Sequence, residues 1–372
     1  MRAGFAVEVI TPALPVMLAG YGARSAPATS VHDELTVRVL VLDEDDARLC
    51  LVVCDLLLMT PEFSVPIRQS IAAALNVSLS AVVTACNHVH AGPSASPGSN
   101  AIGWTVPTGY DELLVTRCTA AARRALDTAR PARISFARGQ MPPGLAGNRR
   151  GHPISPVLSL LDVQDATSGE RLGTLVNFGI HPTTTGPQNL AISTDWIGPM
   201  RALVEREAGG TAIFLQGCEG DVNPLTDGWS ATEPAQWFAV AAAHGEKLAH
   251  AALALIGQGD DIGGGIRVRS TRDLAVPVGD TLLTKLGSMD GERQVDLIEW
   301  QIGDVRLITI PGEGFHGLEQ RLSAAFGPRL LFAGLAPDWH GYLPVPYTEG
   351  YEESLSLGPV GVQVIADALA SG

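Results

Sequence analysis

Apolar positions along this chain switch repeatedly between alternation and a three-to-four spacing, the periods of strands and helices. Leu35–Leu42 and Arg48–Cys54 alternate or run apolar on either side of Asp43-Glu44-Asp45-Asp46, which predicts a hairpin with the acidic cluster on its exposed turn. Thr60-Pro61-Glu62 reads as an N-cap followed by proline at the first helical position. A helix from there to about Leu75 buries Phe63, Ile67, Ile71 and Ala74 on one stripe, although Pro66 favours a start nearer Ser64. The apolar run Ala81-Val82-Val83 then predicts a strand entering Thr84–Pro93. Ser94–Thr108, rich in Gly, Pro, Ser and Asn and without periodicity, reads as a long loop able to cover a pocket.

Tyr110–Ala129 is helical in pattern and ends before Pro131. Strands follow at Arg133–Phe136, Val157–Val163 and Leu172–Phe178, with Gly147-Asn148-Arg149-Arg150 in a loop between the first two. A helix over Asp195–Glu207 leads to the strand Thr211–Leu215, the loop Gln216–Asp227 and a long Ala-rich helix near Pro234–Ile256. The Gly-rich run Gly257–Gly265 is the one plausible seam. Beyond it a strand near Ile266–Arg269, a hairpin Gln294–Gln301/Val305–Ile310 turned on Gly303-Asp304, and a helix near Val360–Ala370 continue the same grammar. The expectation is a single domain over 1–372, of class α/β or α+β, with mixed β-sheets flanked by helices.

Composition narrows the function classes. With 372 residues, 46% hydrophobic and 17% charged, the chain is globular in character. A net charge of −14 and a pI near 5.0 argue against a nucleic-acid partner, whose phosphates require a basic face. No apolar run reaches the ~18 residues a membrane span needs, and the acidic start Met1–Val9 is unlike a signal peptide. Five cysteines, odd in number and set in or beside apolar segments, read as buried thiols, so a cytoplasmic location is expected.

Candidate chemistry concentrates in strand-to-loop junctions. In Asn87-His88-Val89-His90-Ala91-Gly92-Pro93, extended backbone continued through Val89 points His88 and His90 to one face. Two imidazoles there can furnish one metal ligand and one proton-handling neighbour, or be two loop histidines. His181, stiffened by Pro182, is a candidate ligand or a histidine hydrogen-bonded at a strand end. Glu313, between Gly312 and Gly314, is open to a metal or caps the next helix. Tyr342 and Tyr351 lie in further loops. Spacing alone does not select these residues over His32, His316 or His340.

Their order resembles the neutral ceramidase family (neutral/alkaline non-lysosomal type). The resemblance runs from Glu8-Val9-Ile10-Thr11-Pro12 and Gly20-Tyr21 to Tyr351-Glu352. Asn87–Pro93 resembles the family's Thr-His-Thr-His-Ser-Gly-Pro, and Asn177–Thr183 with Ser193-Thr194-Asp195 its second histidine block. Gln216-Gly217-Cys218-Glu219-Gly220-Asp221-Val222-Asn223-Pro224 is similar to its Gly-Asp-Val-Ser-Pro block, and Pro311-Gly312-Glu313 and Gly341-Tyr342 to its last two. The resemblance implies the fold of that family's N-terminal domain and a Zn²⁺ held by His88, His181, Glu313 and Tyr342, with a water completing the shell. His90, Arg149 and Tyr351 would face the substrate, His90 moving a proton to the leaving amine and Tyr351 donating to the developing oxyanion. Asp221 would hold a histidine tautomer from behind.

The departures shape the functional expectation. Asn223 stands where the family has serine, so water rather than that side chain is the expected nucleophile. The interval from Tyr342 to Tyr351 is shorter than in the family, and the family's secretion signal and C-terminal β-sandwich domain are not expected here. The covering loop offers only Ala95, Ala101, Ile102, Trp104 and Val106 as apolar lining, which favours a short or polar acyl group. The expected function is therefore zinc-dependent hydrolysis of a small-molecule N-acyl amide, ceramidase-like or on a smaller soluble substrate. A zinc esterase or lactonase, or a non-catalytic ligand-binding protein, is the alternative. Neither nucleic acid nor stable membrane insertion is expected, and the oligomeric state is left open.

Overall fold

The computed structural model describes residues 1–97, 104–154, 157–226, 233–281 and 291–371. Among them, mixed sheets are flanked by helices in an α+β architecture. The large sheet runs in the order Thr211–Gln216, Arg171–Phe178, Val157–Asp165, Arg130–Gln140, Arg2–Val9, Thr36–Glu44, Ala47–Cys54, Val82–Cys86. A smaller sheet runs Ile266–Pro277, Glu292–Ile302, Val305–Thr309, Leu330–Ala333.

The strand Thr36–Glu44 shows how the layers arise. Val37, Val39 and Val41 join one core with Phe63, Ile67 and Ile71 of the helix Pro61–Leu75 and Leu114 of the helix Tyr110–Asp127. Leu40 and Leu42 join a second core with Ile298, Trp300 and Leu307 of the smaller sheet. A strand buried on both faces reads as an apolar run, and here its two faces meet different layers. The far side of the smaller sheet is covered by Leu318 and Leu322 from the helix His316–Phe326, and by Ile365 and Leu369 from Gly358–Ala370. The order is helices, sheet, sheet, helices.

Several boundaries differ from expectation. The first helix begins at Pro61 despite Pro66, which is exposed, so its ring faces solvent rather than a packed neighbour. Ala72 and Leu75 are buried where Ala74 was expected, and Ala74 is half-buried. Arg2–Val9 is a full strand paired with Thr36–Glu44; Arg2 and Glu8 mask its pattern. Within the Gly257–Gly265 run, Asp260-Asp261 pair with Phe136 and Ser135, and the following Ile262 N–H donates to the Ile134 carbonyl at 3.1 Å. No described helix is long and apolar enough to cross a membrane, and all five cysteines are buried and free. Of the covering loop Ser94–Thr108, residues 98–103, with Ala101 and Ile102, lie outside the described residues, as does Asp227 of the later loop.

Candidate metal centre

The strand Val82–Cys86 ends before its histidines. His88 adopts a left-handed conformation at φ 63°, so the expected extension through Val89 fails. That turn, rather than strand alternation, sets the His88 and His90 ring centroids 4.7 Å apart, edge to face. Gly20, at φ 101°, makes room for His90: a Cβ there would lie 2.6 Å from the ring. The turn is anchored by Asn87, whose amide donates to Asp55 at 2.8 Å. Asp55 in turn receives both arms of the buried Arg201.

His181 follows the strand Arg171–Phe178 and is pinned by its own N–H to the Val222 carbonyl at 3.0 Å. Its ring lies 4.7 Å from His88 and 5.8 Å from His90, centroid to centroid. Glu313-Gly314 and Tyr342-Leu343 form a short parallel pair in which Glu313 stands opposite Tyr342. One local pairing thus unites two blocks that are remote in sequence.

The hydrogen bonds define the histidine tautomers. His88 Nδ1 lies 2.9 Å from the Leu57 carbonyl and His181 Nδ1 2.9 Å from the Glu219 carbonyl. A carbonyl only accepts, so each ring donates from Nδ1 and turns its Nε2 inward. Both Nε2 atoms face Glu313 Oε2, at 3.2 and 3.7 Å. The other carboxylate oxygen, Oε1, accepts from the Trp339 indole at 3.1 Å. Burial pushes the Glu313 carboxyl up, but His88 and His181 override it and hold it well below the usual range. Burial also pushes His181 down to about 4, so its ring is neutral at pH 7. Neither His88 Nε2 nor Glu313 Oε2, both buried, finds a hydrogen-bond partner. A divalent cation among them would give both atoms a partner, and this donor set of imidazoles and carboxylate fits one.

Two overlapping groups could hold it. His88, His90 and His181 place ligand atoms within 4.8 Å of one another, and so do His88, Glu219 and Glu313. Glu219 was missed by sequence reasoning, as was Trp339. The one signal for Glu219 was a carboxylate set among small residues in Gly217-Cys218-Glu219-Gly220. It is fully buried, and that burial, with Glu313 adding to it, pushes its carboxyl well above the usual range.

The remaining candidates surround this centre. Tyr342 is buried, and burial foremost, with Glu313 beside it, raises its phenol well above 10. The Arg149 guanidinium sits 5.9 Å over the Tyr342 ring, donates to the Gly220 carbonyl and pairs with Glu352 at 3.1 Å. Tyr351 heads the short helix Tyr351–Ser354 and is 65% exposed; Arg150 clasps Glu352 and Glu353 just behind it, at 2.6 Å each. Asp221 departs from expectation. Its carboxylate accepts from the His316 N–H at 2.8 Å and the Asn148 amide at 2.6 Å, because backbone carbonyls already occupy both histidine Nδ1 positions. His32 stacks on Phe238, His340 pairs with Asp338 and His316 with Glu319, and none of them joins either group.

Fold and site together define a neutral ceramidase-like α+β architecture carrying a candidate divalent-metal centre. Neutral ceramidase from Pseudomonas aeruginosa matches with a TM-score of 0.82 at 19% identity, over 99% of this chain and 73% of that one. A ceramidase complexed with C2 matches equally, with a TM-score of 0.82 at 19% identity over 99% of this chain and 74% of that one. At that identity the likeness is one of fold. No family model matches the chain, and no curated protein matches its sequence.

Proposed function

We propose that this protein is a zinc-dependent amidohydrolase that cleaves a small-molecule N-acyl amide, with His88, His181, Glu313 and Tyr342 holding Zn²⁺. One observation carries the reading: the Nε2 atoms of two imidazoles converge on one buried carboxylate oxygen within 3.7 Å, out of solvent. When bound, zinc supplies positive charge that polarises a carbonyl and lowers the pKa of a bound water towards about 7. His90 is kept neutral by burial, then by His88 and His181, so a ring nitrogen is open to accept a proton from water and return it to the leaving amine. Arg149 keeps its charge although burial works against it, because Tyr342 and Glu352 favour the charged form. It therefore steers the acyl oxygen, while the exposed Tyr351 hydroxyl donates to the developing oxyanion.

Ceramidase activity belongs to the matched structures; for this chain the loop 94–108 offers few apolar residues among its polar ones, and two of them, Ala95 and Val106, pack into the core, which favours a shorter acyl group. Five buried free thiols favour the cytoplasm, and the fold is read as a single catalytic domain. A panel of N-acyl amides and matching esters, with acyl chains from about two to about sixteen carbons, tests the reading with zinc and after chelation. Amide cleavage should vanish on chelation and return with zinc, and kcat/KM should not climb steadily with chain length. A rise of about tenfold for every two methylenes, near the full transfer value, would mark a lipid groove and overturn the small-substrate reading. Failure to cleave any amide in a zinc-dependent way would overturn the amidohydrolase reading itself.

A further inference from the structure

Glu219 is a side chain that the zinc reading leaves without a role. It is fully buried, and neither carboxylate oxygen meets a hydrogen-bond donor from another residue. A carboxylate in that position is strongly disfavoured unless a cation or donor compensates it. The position is aggravated by Glu313, a second buried carboxylate facing the same space. Packing does not soften it: Gly220 follows directly, and a Cβ there would lie 2.6 Å from the Glu313 carbonyl oxygen, so the loop is pressed against the metal-facing strand.

The distances point one way. Ligand atoms of Glu219, His88 and Glu313 lie within 4.8 Å of one another. An ion held at about 2.0–2.2 Å from each ligand keeps such atoms up to roughly 4.4 Å apart, so a closure of a few tenths of an ångström completes the shell. The loop also holds the first ligand pair in place, since the Glu219 carbonyl fixes the His181 tautomer. The same residue thus orients an imidazole through its backbone and offers an anion through its side chain.

Resting on the reading of a divalent-metal site, we propose that Glu219 is a further metal ligand, joining His88, His181 and Glu313 so that two imidazoles and two carboxylates grip one cation. An oxygen-richer set also narrows the preference for zinc over harder ions such as Mn²⁺.

Zn²⁺ and Mn²⁺ titrations of the metal-stripped full chain, in competition with a chromophoric chelator, test this on the wild type, Glu219→Gln and His88→Ala. The wild type should bind about one ion, His88→Ala should lose tight binding, and Glu219→Gln should bind zinc at least about 100-fold more weakly, with a larger loss for Mn²⁺. Wild-type affinity in Glu219→Gln, alongside a loss in His88→Ala, overturns the role of Glu219 and leaves the zinc site standing. Absence of binding to the wild type, or full binding by His88→Ala, overturns the metal site and this proposal together. Anomalous diffraction from cobalt-soaked wild-type crystals gives an answer independent of any variant. An ion about 2.0–2.2 Å from a Glu219 oxygen supports the assignment, and one more than about 3 Å away overturns it.

Discussion

Replacing Asp55 with Asn should cripple the fold behind the His88 turn. Asp55 is fully buried and receives five donors. Arg201 reaches its two oxygens at 2.8 and 2.9 Å, the Thr36 N–H and hydroxyl come to 2.9 and 2.7 Å, and the Asn87 amide to 2.8 Å. Asparagine presents an NH₂ where these donors point and leaves the Arg201 guanidinium charged, buried and unpaired. Breaking such a pair from one side costs about 3–5 kcal/mol, a large share of the roughly 5–15 kcal/mol that holds a domain together. Urea unfolding should show a lower midpoint at unchanged m. The conservative test of the charge itself is a double-mutant cycle, Asp55→Asn with Arg201→Met, in which the double variant should lose less than the sum of the two single losses, because no buried charge is then left without a partner.

The same pair carries a pH dependence. Burial pushes the Asp55 carboxyl up, but Arg201 and Thr36 override it and leave the folded value below the ordinary one. The unfolded chain therefore binds this proton more readily than the folded one. The contribution is fully present above the unfolded pKa of about 3.9 and is lost as pH falls through the lower folded value. Asp55→Asn should flatten this part of the acid-unfolding profile. A variant within about 0.5 kcal/mol of the wild type, with the acid limb unchanged, would refute the reasoning.

Two further outcomes bear on the site. His181→Ala should take zinc content after dialysis from about one ion per chain to nearly none by elemental analysis, and full retention would mean the ion sits elsewhere. Asn223→Ala should leave turnover within a few-fold of wild type, because Asn223 is paired through its backbone to Gly147 and is not the nucleophile; an acyl-enzyme trapped by mass spectrometry would contradict this.

The elements were legible in the chain because their signals are local. The hairpin around Asp43–Asp46 and the helix opened by Thr60-Pro61 depend on periodicity and caps within a few residues, and they fold where that pattern places them. Arg2–Val9 was hidden because Arg2 and Glu8 interrupt its apolar pattern, and only pairing along Thr36–Glu44 makes it a strand. An apolar strand also announces burial on both faces without saying what covers each, so the stacking of two sheets came from tertiary structure alone.

The site divides in the same way. Residue order and motif resemblance brought out His88, His181, Glu313 and Tyr342 as chemistry-bearing positions. Their convergence depends on the Glu313–Tyr342 pairing and on the left-handed turn at His88, neither of which has a local signature. Asp221 looked suited to hold a histidine, yet the Leu57 and Glu219 carbonyls arrive there first. Glu219 reads in sequence as an ordinary loop carboxylate. What sets it apart is enclosure without a partner beside a second carboxylate, and desolvation of that kind exists only once distant segments have packed.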